Sequence, residues 1–115
     1  MGILIRILVT SLAALLTAYL LPGVDIKDFT TALILAIVLG LLNLIVKPIL
    51  VILTLPVTII TLGLFLLVIN ALIVLWASSL VEGFKVDNFW WALIFSVVLS
   101  IISGIMLSLG PQERD

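Results

Sequence analysis

Charged residues punctuate this chain sparsely, and the stretches between them set its architecture. Uncharged, mostly apolar segments run over 7–24, 29–46, 48–81 and 88–112. A bilayer core about 30 Å thick is crossed by roughly 20 apolar residues in a helix, so the first, second and fourth segments each match one crossing. The third is too long for a single span and contains Pro56. Breaks fall at Pro22-Gly23, Pro56, Glu82-Gly83 and Gly110-Pro111, because proline lacks an amide hydrogen and glycine tolerates turn dihedrals. The pattern predicts helices over about 3–21, 29–48, 57–81 and 88–109. Between the second and third lies KPILVILTLP, residues 47–56, which either continues the second helix past a kink at Pro48 or lies at the interface as a short separate segment. The kinked extension is the reading adopted.

A duplication at an offset of 60 residues organises these helices. PGVDIKDFTTALILAIVLGLLNLI (22–45) aligns without gaps to EGFKVDNFWWALIFSVVLSIISGI (82–105), with matches at Gly23/Gly83, Phe29/Phe89 and Ala32/Ala92 among others. Leu, Ile and Val matches are cheap in such a sequence; glycine, phenylalanine and alanine matches at a turn and helix start are more informative. Two helices per unit send both copies into the membrane in the same direction, which predicts a pseudo-twofold axis along the membrane normal. The expected fold is therefore an all-α membrane protein with four transmembrane helices, a parallel tandem repeat of two helical hairpins. It forms a single transmembrane domain over 1–115: repeat 1 at about 1–48, a connector at about 47–56, repeat 2 at about 57–109 and a short tail at 110–115. The equivalent turns alternate Val24/Ile26 and Phe84/Val86 with polar residues. They fit either two short strands paired as a lid or an irregular loop dipping into the interface.

Composition narrows the function. Of 115 residues, 65% are hydrophobic and 10% charged, with a net charge of -1 and no basic run, which removes nucleic acid as a partner. Cysteine and histidine are both absent, and with them disulfides, thiol chemistry and the commonest metal ligand. No cofactor, metal site or catalytic residue is expected, and the hydroxyls of the spans have no histidine or buried carboxylate to activate them. No Asp or Glu lies within a span, which argues against a proton-coupled transporter. An even number of spans puts Arg6, Lys47 and Arg114 on one side and Lys27 and Lys85 on the other, so the first side, with both termini, is expected to be cytoplasmic. Residues 1–21 are expected to be retained rather than cleaved, since Leu16 occupies the small-residue position before a cut after Ala18.

Within the spans, small and polar residues are the candidate functional positions. Ala32, Ala36 and Gly40 recur at four-residue spacing in the second span, and Ala92, Ser96, Ser100, Gly104 and Ser108 in the fourth, so each set shares a helix face suited to close packing in lipid. Asn43 and Asn70 are costly in hydrocarbon unless paired. Under the 60-residue offset Asn70 matches Thr10 and Asn43 matches Ser103, so four polar groups occupy equivalent places, either as interhelical hydrogen-bond partners or as a polar ring near the axis. Arg6, Lys47, Trp90 and Trp91 are the candidate interface anchors, the cations by snorkelling and the indoles by their preference for the headgroup level.

The run LGLLNLIVKPILVILTLPVTIITLGLFLLVINAL at 39–72, followed by EGFKVDNFWWALIFSVVLSIIS at 82–103, resembles phage holin family 4, the mycobacteriophage holin superfamily IV. The distinguishing elements are Leu39 to Asn43, Lys47-Pro48, Leu55-Pro56, Leu62-Gly63, Asn70-Ala71 and the turn from Gly83 to Phe89. The resemblance implies a four-helix inner-membrane protein that forms homo-oligomers in the lipid bilayer until lesions open, with an endolysin as partner only if it acts as a true holin. The chain ends in PQERD, where holins often carry a longer basic tail. Two other functions are compatible with the composition: a non-lytic envelope or stress-associated membrane scaffold, and a small ion channel or transporter.

Overall fold

The computed structural model describes residues 2–61 and 63–109. The tail at 110–115, with Arg114, lies outside the described residues, as do Met1 and Leu62. In chain order the elements are α1 (Gly2–Leu20), β1 (Val24–Ile26), α2 (Phe29–Leu41), a π-helical turn (Leu42–Val46), α3 (Lys47–Leu53), α4 (Leu55–Ile60), α5 (Phe65–Leu80), β2 (Phe84–Val86) and α6 (Phe89–Leu109). The extents of 39 × 37 × 21 Å make a slab whose thin dimension is about two helix diameters.

Residues 47–56 largely take the extended alternative. α2, the π turn and α3 form one helical run from Phe29 to Leu53, 25 residues long. Pro48 offers no amide hydrogen to the carbonyl of Leu44, and its ring crowds that carbonyl; the wider turn just before it relieves the conflict, with Lys47 N–H donating to Leu42 O. The run ends at Thr54, whose hydroxyl donates to Leu50 O at 2.7 Å.

The predicted third helix at 57–81 is not continuous. Pro56 opens the six-residue α4, which ends at Thr61. Gly63 then takes φ +89°, a conformation other residues rarely adopt. α5 starts at Phe65, whose N–H donates to Thr61 Oγ1 at 3.2 Å. The uncharged stretch carried the prediction across this break because no charged residue marks it.

The two turns pair as strands. β1 and β2 are antiparallel, in register Val24↔Val86, Asp25↔Lys85 and Ile26↔Phe84. Beyond the ladder, Lys27 N donates to Gly83 O at 2.8 Å and Asp87 N to Gly23 O at 2.9 Å. The bonds leading into each turn also come in pairs 60 positions apart: Leu21 N to Thr17 O at 3.0 Å with Val81 N to Ala77 O at 2.9 Å, and Val24 N to Leu21 O at 3.2 Å with Phe84 N to Val81 O at 3.3 Å. Both following helices start alike. Asp28 Oδ1 accepts from Thr31 N at 2.8 Å, and Asn88 Oδ1 accepts from Trp91 N at 3.1 Å, each satisfying an amide that the first helical turn leaves without a partner.

Packing is concentrated at the ribbon end. The buried residues of α1 run from Ser11 to Thr17, of α2 from Thr31 to Leu39, of α5 from Ile69 to Ala77 and of α6 from Ala92 to Leu99. Each set occupies the part of its helix nearer the strands. Ala13, Ala14, Ala32, Ala71, Ala77 and Ala92 are fully buried and let the backbones approach, while Phe84 under the ribbon packs on Phe95 with ring centroids 5.3 Å apart. Ser11, Thr17 and Ser96 are buried without cost in unpaired hydroxyls, because each donates to a carbonyl three or four residues back on its own helix. Among the described residues no such closure occurs at the far end of the helices, and α3 and α4 carry no buried residue.

Two glycines are fixed by this end. The indole of Trp91 occupies the space a Cβ on Gly23 would need, and Gly83, at φ +93°, would bring a Cβ to 3.0 Å from both Lys27 Cβ and Thr31 Oγ1. Gly83→Ala is expected to destabilise the fold by roughly 1–2 kcal/mol through the positive φ alone. Gly40→Ala, whose Cβ meets nothing within 4 Å, is expected to stabilise the isolated chain by up to about 1 kcal/mol through helix propensity. Thermal unfolding in detergent checks the opposite signs.

The two caps differ in titration. The backbone and side-chain hydrogen bonds from Thr31 hold the Asp28 carboxyl below its ordinary value. Its contribution is thus present above the unfolded-state value and is lost as pH falls through the lowered folded value. The Thr31 amide resonance should shift as Asp28 protonates, at a pH lower than for an ordinary aspartate, while that of Trp91, capped by the amide of Asn88, stays fixed. Asp28→Asn should abolish the Thr31 titration.

Candidate functional site at the open end of the bundle

Because the helices close at the ribbon and not at the other end, they leave a crevice of about 680 Å³ between α1, α2 and α6. Its lining includes Arg6, Thr10, Gly40, Asn43, Ser100 and Ser103 among apolar residues such as Ile3, Ile37 and Leu44. A smaller recess of about 110 Å³ adjoins it and is lined by Asn43, Lys47, Asn70, Ser96 and Ser100 together with Ile73 and Val74. The two share Leu39, Asn43, Leu99 and Ser100, so they are parts of one hollow.

Six of the residues singled out from the sequence thus converge here: Arg6, Thr10, Asn43, Lys47, Asn70 and Ser103, with Gly40 beside them. The helical repeat explains how. Thr10 is one turn beyond Arg6 on α1, and Lys47 is about one turn beyond Asn43, where the π turn carries the helix past α5. Ser103 donates weakly to Ser100 O at 3.5 Å. Among the described residues, the side chains of Thr10, Asn43, Asn70 and Ser100 make no hydrogen bond, and Arg6 and Lys47 make no ion pair. The asparagines therefore do not bridge helices within the chain. Lys47 is half-buried and lines the recess.

Gly104, Trp90 and Trp91 lie elsewhere. Gly104 is exposed on α6 and a Cβ there would meet nothing within 4 Å. Trp90 is 67% exposed at the ribbon end, in edge-to-face contact with Phe89 at 5.5 Å, whereas Trp91 is half-buried over Gly23 and so also packs the turn. Ser96 and Ser100 were read from the sequence only as members of a small-residue stripe. The offset matches Ser96 to Ala36 and Ser100 to Gly40, and the structure places both Ala36 and Gly40 in the lining of the larger part.

Chemically, the hollow offers hydrogen-bond donors and two cations but no acid, and no group of three or more acidic side chains that could hold a metal occurs among the described residues. Gly2–Leu20, Phe29–Leu53 and Phe89–Leu109 are long and apolar enough to cross a bilayer, and Phe65–Leu80 is a shorter apolar helix. A mostly helical membrane protein is the class these features define. The chain belongs to the family described as the mycobacterial 4 TMS phage holin, superfamily IV, which matches residues 1–105. It is 39% identical over 98 residues to the uncharacterized membrane protein YvlD of Bacillus subtilis, covering 84% of this chain and 82% of that protein. It is 42% identical over 86 residues to the uncharacterized protein SCO3922 of Streptomyces coelicolor, covering 71% of this chain and 69% of that one. No solved structure matches.

The chain has no native cysteine, so single cysteines report the hollow directly. Asn43→Cys and Thr10→Cys should react with a small water-soluble maleimide at least tenfold faster than Leu35→Cys, which replaces a fully buried core residue. Equal rates would mean that the hollow is closed in the membrane.

Proposed function

We propose that this protein is a holin-like, non-enzymatic inner-membrane protein that crosses the bilayer four times as two parallel helical hairpins, self-associates through α2 and α6, and permeabilises the membrane when assembled. The paired hydrogen bonds 60 positions apart and the antiparallel ribbon support the tandem arrangement. With α5 as the fourth crossing, both termini fall on the side of Arg6 and Lys47, the cytoplasmic side by the distribution of cations. α5 has 16 residues and covers about 24 Å, so the bilayer thins beside it or flanking residues make up the difference.

The observation that carries self-association is the open space around Gly40 and Gly104. Both are small, exposed residues on apolar helices, and neither serves packing within the chain. A neighbouring helix gains close contact there, which is the main source of helix association in lipid. Inducible expression read with a membrane-potential dye, together with crosslinking between chains, tests both halves. Depolarisation and crosslinked oligomers are expected, with crosslinking reduced at least fivefold by Gly40→Leu or Gly104→Leu. Unchanged potential and growth at high expression would sink the permeabilising role and favour a non-lytic scaffold; unchanged crosslinking in both variants would remove α2 and α6 as the interface.

A further inference from the structure

We propose that the hollow at the open end is a binding site for the headgroup of an anionic glycerophospholipid. Three observations carry this. Among the described residues, Arg6 and Lys47 line adjoining parts of one hollow with no acidic residue in its lining, and neither is ion-paired. The four described acids, Asp25, Asp28, Glu82 and Asp87, are all at the ribbon or the turns flanking it. Lys47 is half-buried among apolar helices, where a cation is costly without a counter-charge, and the exposed Arg6 adds a second cation to the same hollow; basic pockets between spans on the cytoplasmic side are suited to lipid phosphates.

The neutral polar groups fit the same ligand. Most hydroxyls within the helices, including those of Ser11, Thr17, Ser78 and Ser79, are satisfied by their own backbone. Those of Thr10 and Ser100 and the amides of Asn43 and Asn70 are not, and all four line the hollow, whereas Thr58 on α4, whose buried hydroxyl also lacks a partner, lies outside it. Hydroxyl and amide donors supply hydrogen bonds to phosphodiester and glycerol oxygens, and a guanidinium can grip two phosphate oxygens at once. Ile3, Ile37 and Leu44 give the larger part an apolar wall for the start of an acyl chain. At about 680 Å³ it falls within the range of small-molecule sites, roughly 300–1,000 Å³. A free phosphate would use the cations and leave that wall uncovered, so the amphipathic lining favours the lipid.

The proposal rests on the bilayer-spanning arrangement above but not on self-association, with which it shares Gly40 and not Gly104. Full-length protein in mild detergent is titrated with dioleoyl phosphatidylglycerol, dioleoyl phosphatidylcholine or inorganic phosphate, and adducts on the single chain are counted by native mass spectrometry. Phosphatidylglycerol should be retained at least tenfold over phosphatidylcholine and resist competition by millimolar phosphate. Lys47→Gln and Arg6→Gln should each lower retention at least threefold, and Lys47→Arg should restore it. Lys27→Gln and Lys85→Gln, the same charge change at the ribbon end, should leave it unchanged. Equal retention of the two lipids, displacement by phosphate, or equal losses in the ribbon variants would overturn the site. So would protection of Asn43→Cys from labelling by a second chain with no lipid bound. Loss of crosslinking with lipid retained would count against self-association alone.

Discussion

The structure depends on a reciprocal pair of backbone hydrogen bonds, Lys27 N–H to Gly83 O and Asp87 N–H to Gly23 O, which brackets the three-residue ladder between the strands. Polar backbone outside a helix is tolerated beside hydrocarbon only when it is paired. Here the two turns satisfy one another, and in doing so bind residues far apart in sequence. The clasp sets the helix spacing at that end, holds Phe84 over Phe95, and gives α2 and α6 matched starting points at their caps.

Away from that end the helices leave a hollow between them. Alanines and back-bonded hydroxyls allow close approach near the clasp, whereas Leu and Ile with unsatisfied polar groups occupy the other half. A bundle in water would close such a gap to bury apolar surface; in lipid the driving force between helices is weaker, since acyl chains solvate leucine well. An open wedge is therefore compatible with a stable fold, and its faces remain available to lipid or to other chains.

Much of this was legible in the sequence. Hydropathy marked α1, α2 and α6 to within a residue or two at their ribbon-side ends, and the offset matched Gly23 to Gly83, while the equivalent caps at Asp28 and Asn88 emerged only from the structure. The break at Gly63 was not legible, because Gly40 and Gly104 sit inside unbroken helices of the same chain and the signal is a single dihedral. Nor was the π turn, since sequence showed Pro48 but not whether the helix would end, kink or widen before it. The strand pairing lay between, with an alternation too short to decide and a partner only the fold could supply. Thr10, Asn43, Asn70 and Ser103 were visible as polar residues in apolar surroundings, but that they share one hollow with both Arg6 and Lys47 depends on how the helices splay.

At the centre of the ribbon Asp25 faces Lys85, and these two positions are themselves 60 residues apart. In the proposed tandem arrangement the pseudo-axis passes between them. A dimer of identical hairpins would be obliged to set aspartate against aspartate or lysine against lysine at that point, and like charges directly opposite across two strands are destabilising. Joining two unlike copies in one chain lifts the obligation. The same freedom lets one turn glycine be covered by Trp91 and its counterpart by Thr31, so fusion permits each side of the clasp to be specialised for a different neighbour.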